Sequence, residues 1–314
     1  MARPDHLSVA VLGAGRWGKC LISTVQRLDG FSLRAVASSN PDTRTLVPNC
    51  CLVTPGWREV IEHPEVMAVL IATPPALHLE MTRHALTCGK PVFLEKPMTM
   101  EPQEAREIAR LSAETGRPVI IDHIHLFSDA FRSMKEHLPQ IGRIRRIRGD
   151  AGNKGPVRHD ASVLWDWGPH DLAMILDITG ARPHAVTACV LGQEQTRDGV
   201  GQHLRISLQF REEHPDCAFE VSNIRPAKRR HFTVEGDLGR LEYDDLLPDK
   251  LLLQLNGQPA RPLALPGKPA LDNALYAFRK AAHSGASADH RAILEQGIAT
   301  VDILHECAVQ LSAA

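Results

Sequence analysis

Three short segments carry side chains that can move protons or hold charge. The first is LWDWGPHDLAMIL, Leu164 to Leu176, where Asp166 and His170 stand four residues apart beside a Gly-Pro step in an apolar run. A carboxylate and an imidazole at that spacing share one face of a helix. An imidazole, with an unperturbed pKa of about 6.5, exchanges protons reversibly at neutral pH. A neighbouring carboxylate can orient it and hold its proton. The competing reading is structural: Asp166 caps a helix and His170 packs against Trp167. The second segment is Glu95-Lys96-Pro97, whose ammonium could stabilise developing alkoxide character on a reacting oxygen. The third is Gly13-Ala14-Gly15-Arg16-Trp17-Gly18, a G-x-G-x-x-G turn.

These segments need elements to position them. The first hundred or so residues alternate between two rhythms. HLSVAVLGAG, FSLRAVASS, VMAVLIATPP, KPVFLEKP and RPVIIDHIHLF are short apolar runs that read as five buried strands. Between them lie segments with helical spacing, among them RWGKCLISTVQRL, ALHLEMTRHALTCG and EPQEAREIARLSAETG, the last opening on acidic residues and closing at Gly116. Strand–helix alternation with nearly continuous apolar strands predicts a parallel sheet covered on both faces. Lys96 then falls at the carboxyl end of a strand, the edge where open α/β sheets bind ligands. The helix carrying His170 has two starts that fit the sequence. It begins near Gly168, with Pro169 in its first turn, or near Ser162, with a kink at Pro169.

In that frame the glycine turn follows a strand and opens a helix. Its first Gly makes the tight turn, its second admits a pyrophosphate to the backbone, and its third allows close helix–strand packing. The N–H groups at the helix start face the phosphates. This predicts dinucleotide binding. About twenty residues on, an NAD site usually presents a carboxylate to the ribose. The second strand instead ends Ala37-Ser38-Ser39-Asn40, with Asp42 only beyond Pro41 and Arg44 shortly after. Ser38, Ser39 and the Arg44 cation favour the 2′-phosphate of NADP over the bare ribose of NAD, against a reading of Arg44 as a solvated helix residue.

VLGAGRWG, LIATPPALHLEMTRHALTCGKPVFLEKP and DWGPHD, in that order, resemble the glucose–fructose oxidoreductase / inositol dehydrogenase (Gfo/Idh/MocA) family. The resemblance spans the nucleotide domain and the start of the second. It implies a Rossmann domain followed by an α/β domain with a large open, mainly antiparallel sheet. It implies hydride transfer between NAD(H) or NADP(H) and a sugar, polyol or similar hydroxy/carbonyl compound, free or nucleotide-linked. By the same resemblance Lys96, in its Glu95-Lys96-Pro97 motif, touches both the nicotinamide end and the reacting oxygen, and His170 is the acid/base. Thr73, Pro74 and His78 follow the third strand where the family's loop runs along the cofactor, and Trp17 lies beside it. Two stretches depart from the family pattern: Phe127-Ser128 leads to Asp129 where a Pro is usual, and HDASVLW replaces a glycine-rich approach to Asp166. Both bear on the substrate rather than on the cofactor.

The remaining polar residues carry weaker signals. His123 and His125 alternate on the fifth strand and so share a face; His123 is a candidate substrate contact, as is Trp167, which could narrow the pocket or offer a sugar ring an apolar face. No Cys cluster or H-x-x-E-H accompanies them, so no metal site is expected. IGRIRRIRGD and RPAKRRHF read as basic strand faces, most simply solvated ones. HAVTACVLG, GQHLRISLQF, CAFEVSNI, RRHFTVEGDLGRLEYDD and KLLLQLNG read as strands of a sheet with one covered face, and two helices close the chain. The expected domains are residues 1–121, binding dinucleotide, and 122–314, binding substrate and mediating assembly, with the site in the cleft between them.

The 314 residues, 43% hydrophobic and 23% charged with a formal net charge of −1, fit a soluble protein of about two domains. They give no reason to expect a nucleic acid or a membrane as partner. Seven scattered Cys without C-x-x-C, and no basic-then-apolar leader, suggest a reducing, cytoplasmic setting. The expected partners are a small-molecule substrate and further copies of the chain, in a dimer or tetramer as the family resemblance implies. Two other functions use the same fold. One is a non-catalytic dinucleotide sensor, which has no need of Lys96, Asp166 and His170 together. The other is an imine or tetrapyrrole reductase, which need not use His170 as base.

Overall fold

The structure is a computed structural model and describes residues 6–211, 213–285 and 288–313. It divides into two units: Met1–Asp122 with Leu271–Ile298, and His123–Ala270 with Ala299–Ala314.

In the first unit the strands are β1 (Leu7–Leu12), β2 (Phe31–Ala37), β3 (Leu52–Thr54), β4 (Ala68–Ile71), β5 (Val92–Glu95) and β6 (Val119–Asp122). They form one parallel sheet in the order β3-β2-β1-β4-β5-β6. Every residue of β1 and β4 is buried, the outcome of apolar runs covered on both faces. The covering helices include α1 (Arg16–Arg27), α2 (Trp57–Glu62), α3 (His78–Thr87) and α4 (Pro102–Thr115). The short β3 was not legible in the sequence, because all three of its residues are only half-buried.

The division after Asp122 lies one residue from the expected boundary, but the expected second domain is corrected at its C-terminal end. Leu271–Ile298 packs with the first unit. Phe278 of α7 (Ala270–Ser284) meets Phe93 with ring centroids 5.6 Å apart. Asp272 accepts a two-pronged hydrogen bond from Arg27 at 2.8 and 2.5 Å. Gly297 in α8 (Ala288–Ala313) approaches Met98 and Ile121 so closely that a Cβ there would lie 3.2 Å from the Met98 sulfur. Apolar spacing identified both closing helices but could not say which sheet they cover.

The second unit is built on an eight-stranded sheet. In chain order its strands are β7 (Ile144–Lys154), β8 (Ala185–Thr196), β9 (Gly199–Gln209), β10 (Asp216–Ser222), β11 (Ile224–Gly236), β12 (Gly239–Asp244), β13 (Leu251–Leu255) and β14 (Arg261–Pro262). They lie in the order β14-β13-β12-β11-β7-β10-β9-β8, antiparallel except for β7 against β10. Before β7 comes α5 (Asp129–His137), and after it α6 (Val163–Thr179) lies over β10 and β7. Gly149 of β7 makes that approach possible, since a Cβ there would stand 2.4 Å from Asp171 Oδ1 and 2.9 Å from Phe219 Cβ. The Arg-rich strand turns Ile147 inward, while Arg145 pairs with Asp237, Arg146 with Glu235 and Arg148 with Asp216. That basic face is balanced by carboxylates from neighbouring strands. No helix among the described residues is long and apolar enough to cross a membrane.

Candidate functional site

In the first unit the glycine turn connects β1 to α1. Gly13 has φ +92°, and a Cβ there would meet the Ala72 carbonyl oxygen at 2.6 Å. A Cβ on Gly18 would sit 2.0 Å from the Gly13 oxygen. Both positions therefore require glycine for packing. Gly15 differs: it is exposed, and nothing lies within 4 Å of where its Cβ would be. Gly15 caps α1 without a side-chain hydrogen bond, and the first turn of α1 holds no acidic residue. The positive end of the helix thus faces open space beside a turn with room for a phosphate, which fits a dinucleotide. Arg16 is exposed at the same end, and Trp17 is half-buried.

Lys96 follows Glu95, the last residue of β5, and Glu95 is the register partner of Asp122 at the end of β6. The Lys96–Pro97 peptide is cis. Asp122 is 1% exposed, its Oδ2 accepting from Trp17 Nε1 at 3.1 Å. Its Oδ1 is buried without a hydrogen bond. Burial pushes its carboxyl up to about 7, against the opposing pull of the Trp17 hydrogen bond and the Lys96 charge. Trp17, Lys96 and Asp122 thus gather at one edge of the sheet. The sequence signal for Asp122 was available, since it is a carboxylate ending an apolar strand at the ligand-binding edge.

Two of the expected cofactor contacts, His78 and Arg44, are engaged by backbone carbonyls. His78 is wholly buried, with Thr73 O at 3.0 Å from Nε2 and Pro97 O and Met98 O at 3.0 and 3.2 Å from Nδ1. It pins the loop after β4 to the loop that carries Lys96, and burial lowers its pKa against those carbonyls. Arg44 donates to Cys51 O at 2.6 Å and Val47 O at 3.3 Å, and also to Pro48 O. Its guanidinium holds a loop together. Ser38 Oγ is likewise engaged, with Thr43 Oγ1 at 2.8 Å and the Asn40 N–H at 3.1 Å. Ser39 and Pro74 are exposed, and Thr73 is half-buried with its hydroxyl on Met81 Sδ at 3.5 Å.

In the second unit, α6 begins after Ser162 and runs through Pro169, so the earlier of the two starts is the one adopted. Pro169 withholds the N–H that the Trp165 carbonyl would otherwise receive. Asp166 stands in the first turn, four residues before His170, and accepts from Arg158 at 3.2 Å. His170 is 7% exposed. Its ring neighbour is not Trp167 but His125, at 5.1 Å between centroids and an interplanar angle of 86°. Trp167 instead carries the Arg230 guanidinium over its face at 4.5 Å.

The expectation that His123 and His125 share a strand face is also corrected. β6 ends at Asp122, and residues 124–127 form a 3-10 turn. His123 is buried, and His125 donates or accepts at Nδ1 with Tyr243 Oη, 2.9 Å away. Beside them lie the buried Asp171 and the half-buried Arg230. Burial pushes Asp171 up to about 7 and Arg230 downward, and each charge opposes the other's shift. Asp171 Oδ2 and Arg230 Nη1 are buried without hydrogen bonds. Nothing in the local sequence announced Tyr243 or Arg230, because each reaches α6 or the 3-10 turn only through the sheet.

The model of an oxidoreductase family with an NAD-binding Rossmann fold matches residues 7–123. The chain is 37% identical over 182 residues to an uncharacterized oxidoreductase of Synechocystis, covering 53% of this chain and 46% of that protein. It is 25% identical over 220 residues to the scyllo-inositol 2-dehydrogenase (NADP(+)) of Bacillus subtilis, covering 66% and 60%. The chain thus spans about half the length of the curated relatives it matches. It is also similar to the crystal structure of a candidate oxidoreductase from Magnetospirillum magnetotacticum MS-1, with a TM-score of 0.89, 36% identity, and coverage of 96% of this chain and 99% of that one. A family match through the whole first sheet, and a relative 36% identical along almost its full length, place this chain in the Gfo/Idh/MocA oxidoreductase family.

Proposed function

We propose that the protein is an NAD(P)-dependent oxidoreductase acting on a sugar, polyol or related hydroxy/carbonyl compound. A bound nicotinamide supplies the hydride donor or acceptor. Gly15 and the start of α1 hold the pyrophosphate, while Trp17, Thr73, Pro74 and Glu95 line the path from that turn to Lys96. The Lys96 ammonium stabilises charge on the reacting oxygen, and His170 exchanges the hydroxyl proton, oriented by Asp166. Trp167 and His123 belong to the substrate side. The observation that carries this reading is the ammonium of Lys96 at the carboxyl edge of a parallel sheet whose first turn is open at Gly15.

For the cofactor we propose NADP. No carboxylate stands at the end of β2, exposed Ser39 replaces it, and a relative's name specifies NADP(+). Arg44 no longer supports that choice, so exposed Arg16 is the nearer candidate for the charge. The test is a fluorescence titration with NADH and NADPH, followed by a screen of free and nucleotide-linked sugars and polyols with the tighter nucleotide. The expected result is nucleotide binding by the wild type and by Lys96→Ala and His170→Asn, with turnover only in the wild type. Binding of neither nucleotide would overturn the reading. Turnover that survives in His170→Asn would overturn the acid/base assignment.

A further inference from the structure

β11 carries three arginines, and two of them are paired. Arg225 and Arg229 reach Asp150 at 2.6 and 3.3 Å on one face of the sheet. Arg230 belongs to the other face, the one that α6 covers. In register it stands opposite Ala151, while Phe232 stands opposite Gly149. Ala151 and Phe232 are each 1% exposed, so this is the core face. Residues two apart on a strand share a face, which makes Arg230 the diagonal neighbour of Gly149, within reach of a long side chain. Over Gly149 sits the carboxyl of Asp171, whose Oδ1 stands 2.4 Å from where a Cβ on Gly149 would be. The Arg230 guanidinium lies 4.5 Å over the ring of Trp167. Trp167 precedes Asp171 by four residues and so shares its face of α6. Strand register and helix spacing thus bring Arg230 and Asp171 together independently.

A guanidinium and a carboxylate in such a place ordinarily pair. Among the described residues no ion pair joins these two, and Asp171 Oδ2 and Arg230 Nη1 are both buried without a hydrogen bond. Each such group costs free energy until something satisfies it. A carboxylate oxygen accepts and a guanidinium nitrogen only donates, so the group that serves both must donate on one side and accept on the other. A hydroxyl does so. It also serves a protonated Asp171, because its oxygen accepts twice. A phosphate or carboxylate only accepts, and would stand charge against charge with ionised Asp171. The place adjoins the proton-transfer group, since Asp171 follows His170 in α6. The His170 ring meets His125 at 5.1 Å, and His125 Nδ1 lies 2.9 Å from Tyr243 Oη. Tyr243 is opposite Phe232 in register, which makes it a diagonal neighbour of Arg230 on the same sheet face.

We propose that Asp171 and Arg230 are a specificity pair that reads a second, non-reacting hydroxyl of the substrate, so that the compound is neutral and hydroxylated beside its reacting carbon. The proposal rests on the reading of His170 as acid/base and deepens it. The second hydroxyl donates to Asp171 and accepts from Arg230, whose guanidinium the Trp167 ring holds by its face. An analogue with hydrogen in place of that hydroxyl leaves both groups unpaired, which is the strongest form of rejection available to a polar site. An analogue with a carboxylate or phosphate there sets like charges together. The pair takes no part in the hydride or proton transfer; it decides which compound is held for it.

The first arm of the test needs no substrate. A pair kept for a ligand adds nothing to folding, so Asp171→Asn combined with Arg230→Met should melt no more than about 3 °C below the wild type. A larger loss makes the pair structural and overturns the proposal. The second arm uses the substrate found by screening and its deoxy analogues, each lacking one hydroxyl beside the reacting carbon. The wild type should prefer the substrate to one of these analogues by about 100-fold or more in kcat/KM. The double variant should narrow that preference to within about threefold, chiefly by raising KM for the substrate. Arg230→Lys, which keeps the charge and loses the planar fork, should fall between the two. A merely structural role lowers substrate and analogue equally, and a preference in the double variant as wide as that of the wild type overturns the proposal. Asp171→Asn should also raise kcat/KM for the matching carboxylate analogue, relative to the substrate, by about tenfold; an unchanged ratio removes Asp171 from the pair and overturns the proposal. A wild type that binds nucleotide and turns over no hydroxylated compound defeats the proposed function and this proposal with it, whereas unaltered selectivity in the double variant defeats this proposal alone.

Discussion

Gly15 and Lys96 owe their places to rules that act within a few residues of chain, whereas Tyr243 reaches His125 across a separation of 118 residues. The first unit makes its candidate site from backbone: a turn too tight for side chains at Gly13 and Gly18, an open glycine between them, and the ends of parallel strands. The second unit makes its site from side chains that a mixed sheet delivers from α6, β11, β12 and a 3-10 turn. Both units also bury a carboxylate at the site, Asp122 in one and Asp171 in the other, each pushed up to about 7 by desolvation. What opposes that push differs. Asp122 has an indole N–H and an ammonium, whereas Asp171 has the Arg230 guanidinium. A backbone-made site is thus open to nucleotides of one general shape. A side-chain-made site can be altered residue by residue.

The comparison breaks most readily at its two centres of chemistry. His170→Asn and Lys96→Ala should each lower kcat by roughly 100- to 10,000-fold while nucleotide affinity stays within a few-fold; steady-state kinetics beside a fluorescence titration checks both. The glycines of the first unit should separate cleanly from one another. Gly18→Ala drives a Cβ into the Gly13 carbonyl and should cost roughly 3 kcal/mol or more of stability, whereas Gly15→Ala should leave the melting temperature nearly unchanged and weaken nucleotide binding. Calorimetry on the two variants reads the difference, and equal destabilisation would remove the distinction between packing glycines and a cradle glycine.

The buried carboxylates sharpen the comparison through pH. An unfolded aspartate titrates near 3.8 and these two near 7, so between those values the folded chain binds more protons than the unfolded one. Stability therefore falls as pH rises through that window, by a few kcal/mol for a fully buried group. Asp122→Asn and Asp171→Asn should each flatten the profile of melting temperature from about pH 4 to 7. A profile as steep as that of the wild type in both variants would show that neither group carries the shift. Smallest of all, Arg44→Ala should lower NADPH affinity no more than NADH affinity, because its guanidinium is spent on the carbonyls of Val47, Pro48 and Cys51. A selective loss of NADPH would return Arg44 to the cofactor.

Where sequence reading failed, the failures have one cause. His78 looked like a loop residue beside a cofactor, yet its ring lies among the carbonyls of Thr73, Pro97 and Met98. Two of those belong to a strand end about twenty residues away, which spacing cannot reveal. His123 and His125 looked like alternating strand residues, but the strand stops at Asp122 and the chain tightens into a 3-10 turn. The basic run ending in Arg230 looked solvated; Lys228 and Arg229 are exposed, but Arg230 is half-buried with its guanidinium over Trp167.

The sequence alone determined the parallel first sheet, the glycine turn, the strand end bearing Lys96 and the helix bearing Asp166 and His170. Each is specified by contacts within one turn or one strand–helix step, where residue type and periodicity are the physics. Only the tertiary structure decided that α7 and the first part of α8 cover the first sheet, that α6 starts at Val163 and continues through Pro169, and that His125 turns toward Tyr243. Those outcomes depend on burial and hydrogen bonding between segments far apart in the chain, and no local pattern encodes which distant partner will satisfy a buried polar group.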